Sequence, residues 1–178
     1  MNITLPFTDE IINQLKCGDR VLLSGTVYTA RDAAHKRMTE KLAAGEPLPF
    51  NLLGQTIYYA GPCPAKPGHA IGSCGPTTSG RMDAYTPALL DLGLKAMIGK
   101  GQRSDDVIRA IVRNHCVYLG ATGGAGALYS KCITKMEVIA YEDLGPESVK
   151  RLTVKDMPLT VIIDSEGRNL YDPKNQAT

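Results

Sequence analysis

Between Gly61 and Gly80, four prolines (Pro62, Pro64, Pro67, Pro76) and five glycines (Gly61, Gly68, Gly72, Gly75, Gly80) crowd a single stretch of chain. Such a segment can be neither a long helix nor a central strand, because proline removes a backbone donor and glycine resists ordering. An irregular stretch of this length is unusual inside a compact domain unless it carries a function. The expectation is therefore a functional loop holding a short strand around residues 69–71. Its flanks are ordered. Residues 57–60 read as a strand, and residues 82–92 as partly helical with Pro87 in a first turn.

The remainder alternates short strands with amphipathic helices. Strands are expected at 3–5, 20–24 (ended by Gly25), 95–98, 116–119, 133–141 and 159–164. Thr8 caps a helix over 9–15, and Ser104 caps one that runs to Asn114 with Val107, Ile108, Ile111 and Val112 inward. Thr29 and Asp32 form a capping-box variant that opens another helix, with a buried stripe of Ala34, Met38 and Leu42. Gly45, Pro47 and Pro49 stop it. No repeat or linker divides the 178 residues. They predict one α/β domain over 1–172 and a loose polar tail over 173–178.

Composition narrows the function. The 43% apolar and 21% charged content is that of a globular chain, and a net charge of +2 without any Lys/Arg block argues against nucleic acid. No apolar run nears the roughly 20 residues needed to span a bilayer. The first ten residues lack the basic-then-apolar pattern of a secretory signal, so the cytoplasm is the expected compartment. Cys17, Cys63, Cys74, Cys116 and Cys132 are scattered, odd in number and without a CxxC pair. Neither a disulfide framework nor a local metal site is expected from them. His35, His69 and His115 show no metal or triad spacing, so surface or structural roles are expected of all three.

Three places carry residues suited to an anion. Arg31 stands in the first turn of its helix, where the macrodipole already presents positive charge, so an arginine there calls for an offsetting anion or carboxylate. The plainer account is a surface arginine paired with Asp32. In Gly75-Pro76-Thr77-Thr78-Ser79-Gly80-Arg81-Met82-Asp83, glycines allow close backbone approach and three hydroxyls precede a helix start, with Arg81 adding a two-pronged fork. The plainer account there is an ordinary cap and turn. Lys100, between Gly99 and Gly101 at a strand end, lies where ligands gather in open α/β sheets, although a lone turn lysine is commonly just solvated. Residues 120–126 look like a phosphate-cradling loop but lack the Walker lysine and serine. The residues alone imply an enzyme domain with a polyanionic pocket, fitted to a dicarboxylate.

Several strings together resemble the β subunit, or C-terminal domain, of the iron–sulfur fumarase and L(+)-tartrate dehydratase family. They are Thr29 to Arg37 (TARDAAHKR), Tyr59-Ala60-Gly61-Pro62, the Gly75 to Asp83 string, Gly99-Lys100-Gly101, Gly123 to Leu128, and residues 158–172. The resemblance implies a swivelling β/β/α domain, with mixed sheet and flanking helices, that closes over a site shared with a larger α subunit in a hetero-oligomer. It implies that the α subunit supplies the cysteines of a [4Fe–4S] cluster, whose open iron acts as a Lewis acid. Reversible hydration of fumarate to malate is the implied reaction, with dehydration of tartrate as the alternative. Arg31, Thr78, Arg81 and Lys100 are then substrate-binding, and Thr77 takes part in proton transfer at carbon. Cys74 stands where a small residue would serve equally well. Because Met1 opens directly onto the first strand, a separate subunit is expected. Two other classes remain: a non-catalytic dicarboxylate-binding module of the same fold, and a nucleotide-binding domain using residues 120–126.

Overall fold

Five strands close into a ring, and the closure depends on one strand far longer than the sequence suggests. A computed structural model describes residues 1–62, 67–68, 71–121 and 126–176. Its strands are β1 (Asn2–Thr4), β2 (Arg20–Thr29), β3 (Thr56–Tyr58), β4 (Ala96–Gly99), β5 (Val117–Gly120), β6 (Ile133–Ala140) and β7 (Val149–Ile163). Strands β2, β3, β4 and β5 run parallel in that order. Strand β7 then pairs antiparallel with both β5 and β2, which shuts the ring. Strands β1 and β6 extend it outside, parallel to β2 and antiparallel to β7. The helices are α1 (Asp9–Gln14), α2 (Asp32–Ala43), α3 (Thr86–Asp91), α4 (Asp105–Asn114), α5 (Gly126–Cys132) and a short α6 (Pro173–Gln176). This is the expected α/β domain with mixed sheet and flanking helices.

The alternation of side chains along a strand sorts the core into two layers. Tyr58, Ala96, Ile98, Val117 and Leu119 join Val21, Leu23, Val27, Leu152, Val154 and Val161 inside the ring. Ile57, Tyr59, Met97 and Tyr118 point the other way, onto Met38, Leu90, Val107 and Ile111 of α2, α3 and α4. Strands buried on both faces read as unbroken apolar runs, which is why β3, β4 and β5 were legible.

Several expectations are corrected. Gly25 does not end β2. It sits at a bulge where the β2–β7 register shifts, with φ +128°, and a Cβ there would lie 2.8 Å from that of Leu5. Strand β7 begins ten residues before the expected 159, its outward side chains (Arg151, Lys155, Asp156) disguising a buried series of Val149, Leu152, Val154 and Met157. Asp156, at φ +51°, forms the bulge opposite Ser24 and donates its N–H to Ser24 Oγ at 2.9 Å. Thr29 does not cap α2. It ends β2, buried, and its Oγ1 accepts from Lys150 N–H at 3.2 Å. In α4 the buried residues are Val107, Ala110 and Ile111, while Val112 is exposed because, at roughly 100° per residue, it falls well round the helix from that buried arc. Part of the expected strand at 69–71 lies outside the described residues, as do Cys63 and most of the glycine-rich turn.

Candidate functional site

All of the parallel strands of the ring deliver their C-terminal ends to one rim, and the irregular stretch returns to that rim. Ala30 N–H donates to Tyr58 O at 3.2 Å, which brings the start of α2 against the end of β3. Thr77 N–H donates to Tyr59 O at 2.7 Å, and Ser79 N–H to Lys100 O at 2.9 Å. Thr78 forms a parallel bridge with Lys100. Residues 77–79 therefore run as a short extended segment wedged between the continuations of β3 and β4, before a 3-10 turn over Ser79–Met82. Gly99 permits this, since a Cβ there would collide with Ser79 Oγ and come within 2.7 Å of the Tyr59 ring.

Arg31, Thr77, Thr78, Arg81 and Lys100 are thus set round a single rim. The Arg31 side chain passes over Gly61, where a Cβ would lie 2.8 Å from its Nη1. Its Nε is buried without a hydrogen-bond partner among the described residues, and it does not pair with Asp32. Asp32 instead takes Arg81, whose Nε and Nη2 both donate to Oδ2 at 2.9 and 2.5 Å. Among the described residues the Lys100 ammonium has no ion-pair partner. Among the described residues, two cations without an ion-pair partner and a third with three of its five donors free give the rim an excess of positive charge.

Behind the rim lies a buried polar cluster that the sequence did not announce. The fully buried Arg103 side chain donates to Asp83 Oδ1 at 2.7 Å, Thr86 Oγ1 at 3.0 Å and Tyr59 Oη at 3.1 Å. Its guanidinium also stacks over the Tyr59 and Tyr118 rings, 5.1 and 4.8 Å from their centroids. Tyr118 Oη lies 2.7 Å from Ser79 Oγ and donates to Gly101 O at 2.9 Å. One cluster therefore holds both the hydroxyl segment and the Lys100 turn. A second support fixes the start of α2. Lys150 Nζ, buried, donates to Pro146 O at 3.0 Å and Ser148 Oγ at 2.8 Å, and the turn it clamps presents Glu147 Oε1 to Ala33 N–H at 3.3 Å. Burial lowers the pKa of that ammonium.

His35 lies directly beneath Arg31, with Nδ1 2.8 Å from Arg31 O and the ring against Tyr59 and Tyr85. Burial, helped by the charge of Arg103, pushes its pKa from 6.5 down to about 4. The imidazole is therefore neutral in the fold at neutral pH, with Nδ1–H donating to the carbonyl and Nε2 buried without a partner among the described residues. The unfolded chain binds this proton first as the pH drops, so the stability is complete above about 6.5 and is lost as pH falls towards 4. A loss of roughly 3 kcal/mol over that window is expected from this group. Denaturant titrations at pH 7 and pH 4.5 should show a smaller decline in a His35→Gln variant than in the wild type. Equal declines would contradict the assignment.

Among the described residues, no three His, Cys, Asp or Glu side chains gather in a way that could hold a metal ion. Cys74 and Cys116 are buried, and burial pushes the Cys116 thiol up to about 12. No helix among the described residues is long and apolar enough to cross a membrane.

The fold and rim define a class: an α/β ring whose strand ends carry arginine, lysine and threonine at one rim, with no metal-ligand set among the described residues. The chain belongs to the Fumarase C-terminus family, whose model matches residues 1–174. It is 39% identical over 162 residues to Fumarate hydratase 2 of Leishmania major, covering 90% of this chain and 28% of that protein. Its match to the aerobic class I fumarate hydratase of Escherichia coli (strain K12) is 36% over 162 residues, or 30% of that protein. The chain therefore spans less than a third of these fumarate hydratases. It spans 90% of the putative L(+)-tartrate dehydratase subunit beta of Methanocaldococcus jannaschii, at 37% identity over 175 residues.

Proposed function

We propose that this chain is the β subunit of an iron–sulfur hydro-lyase that adds water reversibly to a four-carbon dicarboxylate, with fumarate to malate as its reaction. The observation that carries the reading is the rim itself. Arg31 and Lys100, without ion-pair partners among the described residues, and the end edge of the Arg81 fork are grouped around the hydroxyls of Thr77 and Thr78 in a member of this family. A four-carbon diacid needs charge at both ends, and a rim with three cations supplies it. Arg31, Arg81 and Lys100 bind the carboxylates, and Thr78 adds a hydroxyl hydrogen bond. Thr77 shares in proton transfer at carbon. A free aliphatic hydroxyl is far too weak a base for that near neutral pH, so it needs activating groups from across an interface.

The rim also needs a cover. Thr78 is exposed and the Arg81 side chain is 51% exposed. Charges so wet bind a diacid weakly until another surface excludes the water. The family relationship supports an α subunit as that surface, in a cytoplasmic hetero-oligomer. No set of side chains among the described residues fits a [4Fe–4S] cluster, so the cluster belongs to the α subunit.

The relationship to a tartrate dehydratase subunit supports the second reading, dehydration of L(+)-tartrate, which uses the same rim. Anaerobic co-expression with the candidate α subunit, followed by assays of fumarate hydration and tartrate dehydration, tests both. Activity is expected only in the mixture, on fumarate, and lost on exposure to air. An assembled, cluster-loaded complex inactive on both diacids would overturn the assignment.

A further inference from the structure

Arg81 does not enter the rim as a free cation. Its Nε and Nη2, the nitrogens of one edge of the guanidinium, both donate to a single oxygen of Asp32. A planar guanidinium has five N–H donors, so three remain, and one on each Nη point forward in parallel, the pattern that fits a carboxylate. Asp32 is the first residue of α2, directly after Arg31, and Arg81 lies in the 3-10 turn that follows the hydroxyl segment. The contact thus joins two of the three stretches of chain that carry the rim. With side chains 51% and 37% exposed, such an ion pair contributes little to stability. Its consequence is geometric. A long, half-exposed arginine has many rotamers, and the tether selects one.

We infer that Asp32 is a positioning residue. It holds Arg81 by the side edge of its guanidinium, so that the end edge is set to receive a substrate carboxylate. This rests on the reading of the rim as a dicarboxylate site. The acid acts through Arg81 and does not touch substrate. Asp32 Oδ1 is buried and unpartnered among the described residues, so the carboxylate faces no competing partner there for the arginine it orients.

The test is a double-mutant cycle in the assembled enzyme, with Asp32→Ala, Arg81→Lys and the pair together, each checked for an unchanged thermal unfolding temperature. Asp32→Ala should lower kcat/KM by about 10- to 100-fold, mostly by raising KM, as expected when a clamp is misplaced by an ångström. In the Arg81→Lys background the same change should cost less than about two-fold, because the group it acts through is gone. A separate readout comes from the chain alone. The Arg81 Nε–H proton resonance should be slow to exchange in the wild type and fast in Asp32→Ala. Equal losses in both backgrounds, or full kcat/KM in Asp32→Ala, would overturn the proposal, as would a fast-exchanging wild-type Nε–H. A slow Nε–H in a wild-type complex without activity on any hydroxy-diacid would show the tether intact and the functional reading wrong.

Discussion

Replacing Arg103 by methionine should destabilise the chain by roughly 3–5 kcal/mol, the cost of leaving a partly buried charge without its partner. The arginine side chain is fully buried and its partner Asp83 is 17% exposed, so water does little to screen the pair. Asp83 would keep its bond from Ser104 N–H at 2.7 Å but lose the guanidinium, and the hydroxyls of Tyr59 and Thr86 would each lose a donor. The volume change is small, since methionine fills much of the same space, so the loss reads as electrostatic rather than as a cavity. Denaturant unfolding measures it. Arg103→Met combined with Asp83→Asn should recover a substantial part of the loss, because the stranded charge is then gone. A single variant as stable as the wild type would show that the cluster does not hold the rim.

That cluster also marks where sequence reading stops. Thr77, Thr78 and Arg81 are legible because they sit within five residues of one another, between glycines, in a stretch that needs a reason to exist. Lys100 is legible because glycines flank it at a strand end. Arg103 is not, since its partners come from positions 59, 83, 86 and 118, and only the ring brings those together. Asp32 was visible as a first-turn acid, which any helix accepts, and nothing local says that it serves Arg81. The fold shows the same division. Strands β3, β4 and β5 declare themselves by unbroken apolar runs. The first ten residues of β7 do not, because their outward positions carry lysine, arginine and aspartate, and a bulge at Asp156 breaks the period of two. Gly25 reads locally as a terminator, whereas the approach of Leu5 that requires it is set by the pairing of β1 with β2.

Arg31→Met should separate function from stability more cleanly than any other change at the rim. Among the described residues its Nε is buried without a partner, a state that costs free energy in the fold. The residue forms no ion pair with the described residues, so its removal breaks none of the contacts that hold β2 to α2. The Ala33 N–H bond to Glu147, the Arg37–Asp143 pair at 2.7 Å and the backbone of residues 30–31 are untouched. Stability should therefore stay the same or rise by about 1 kcal/mol, as is common where a functional site holds an unfavourable group. Activity should go the other way. Loss of a charge-assisted carboxylate contact is worth about 1.5–3 kcal/mol, so kcat/KM in the assembled enzyme should fall by roughly 10- to 100-fold. Arg31→Lys should rescue little, since an ammonium cannot reproduce a planar two-pronged contact. Paired measurements of unfolding free energy and of kcat/KM on fumarate decide it. A variant that is both less stable and fully active would make Arg31 a structural residue and remove it from the site. One that is at least as stable but nearly inactive would identify the unpaired arginine as a charge held ready for the substrate.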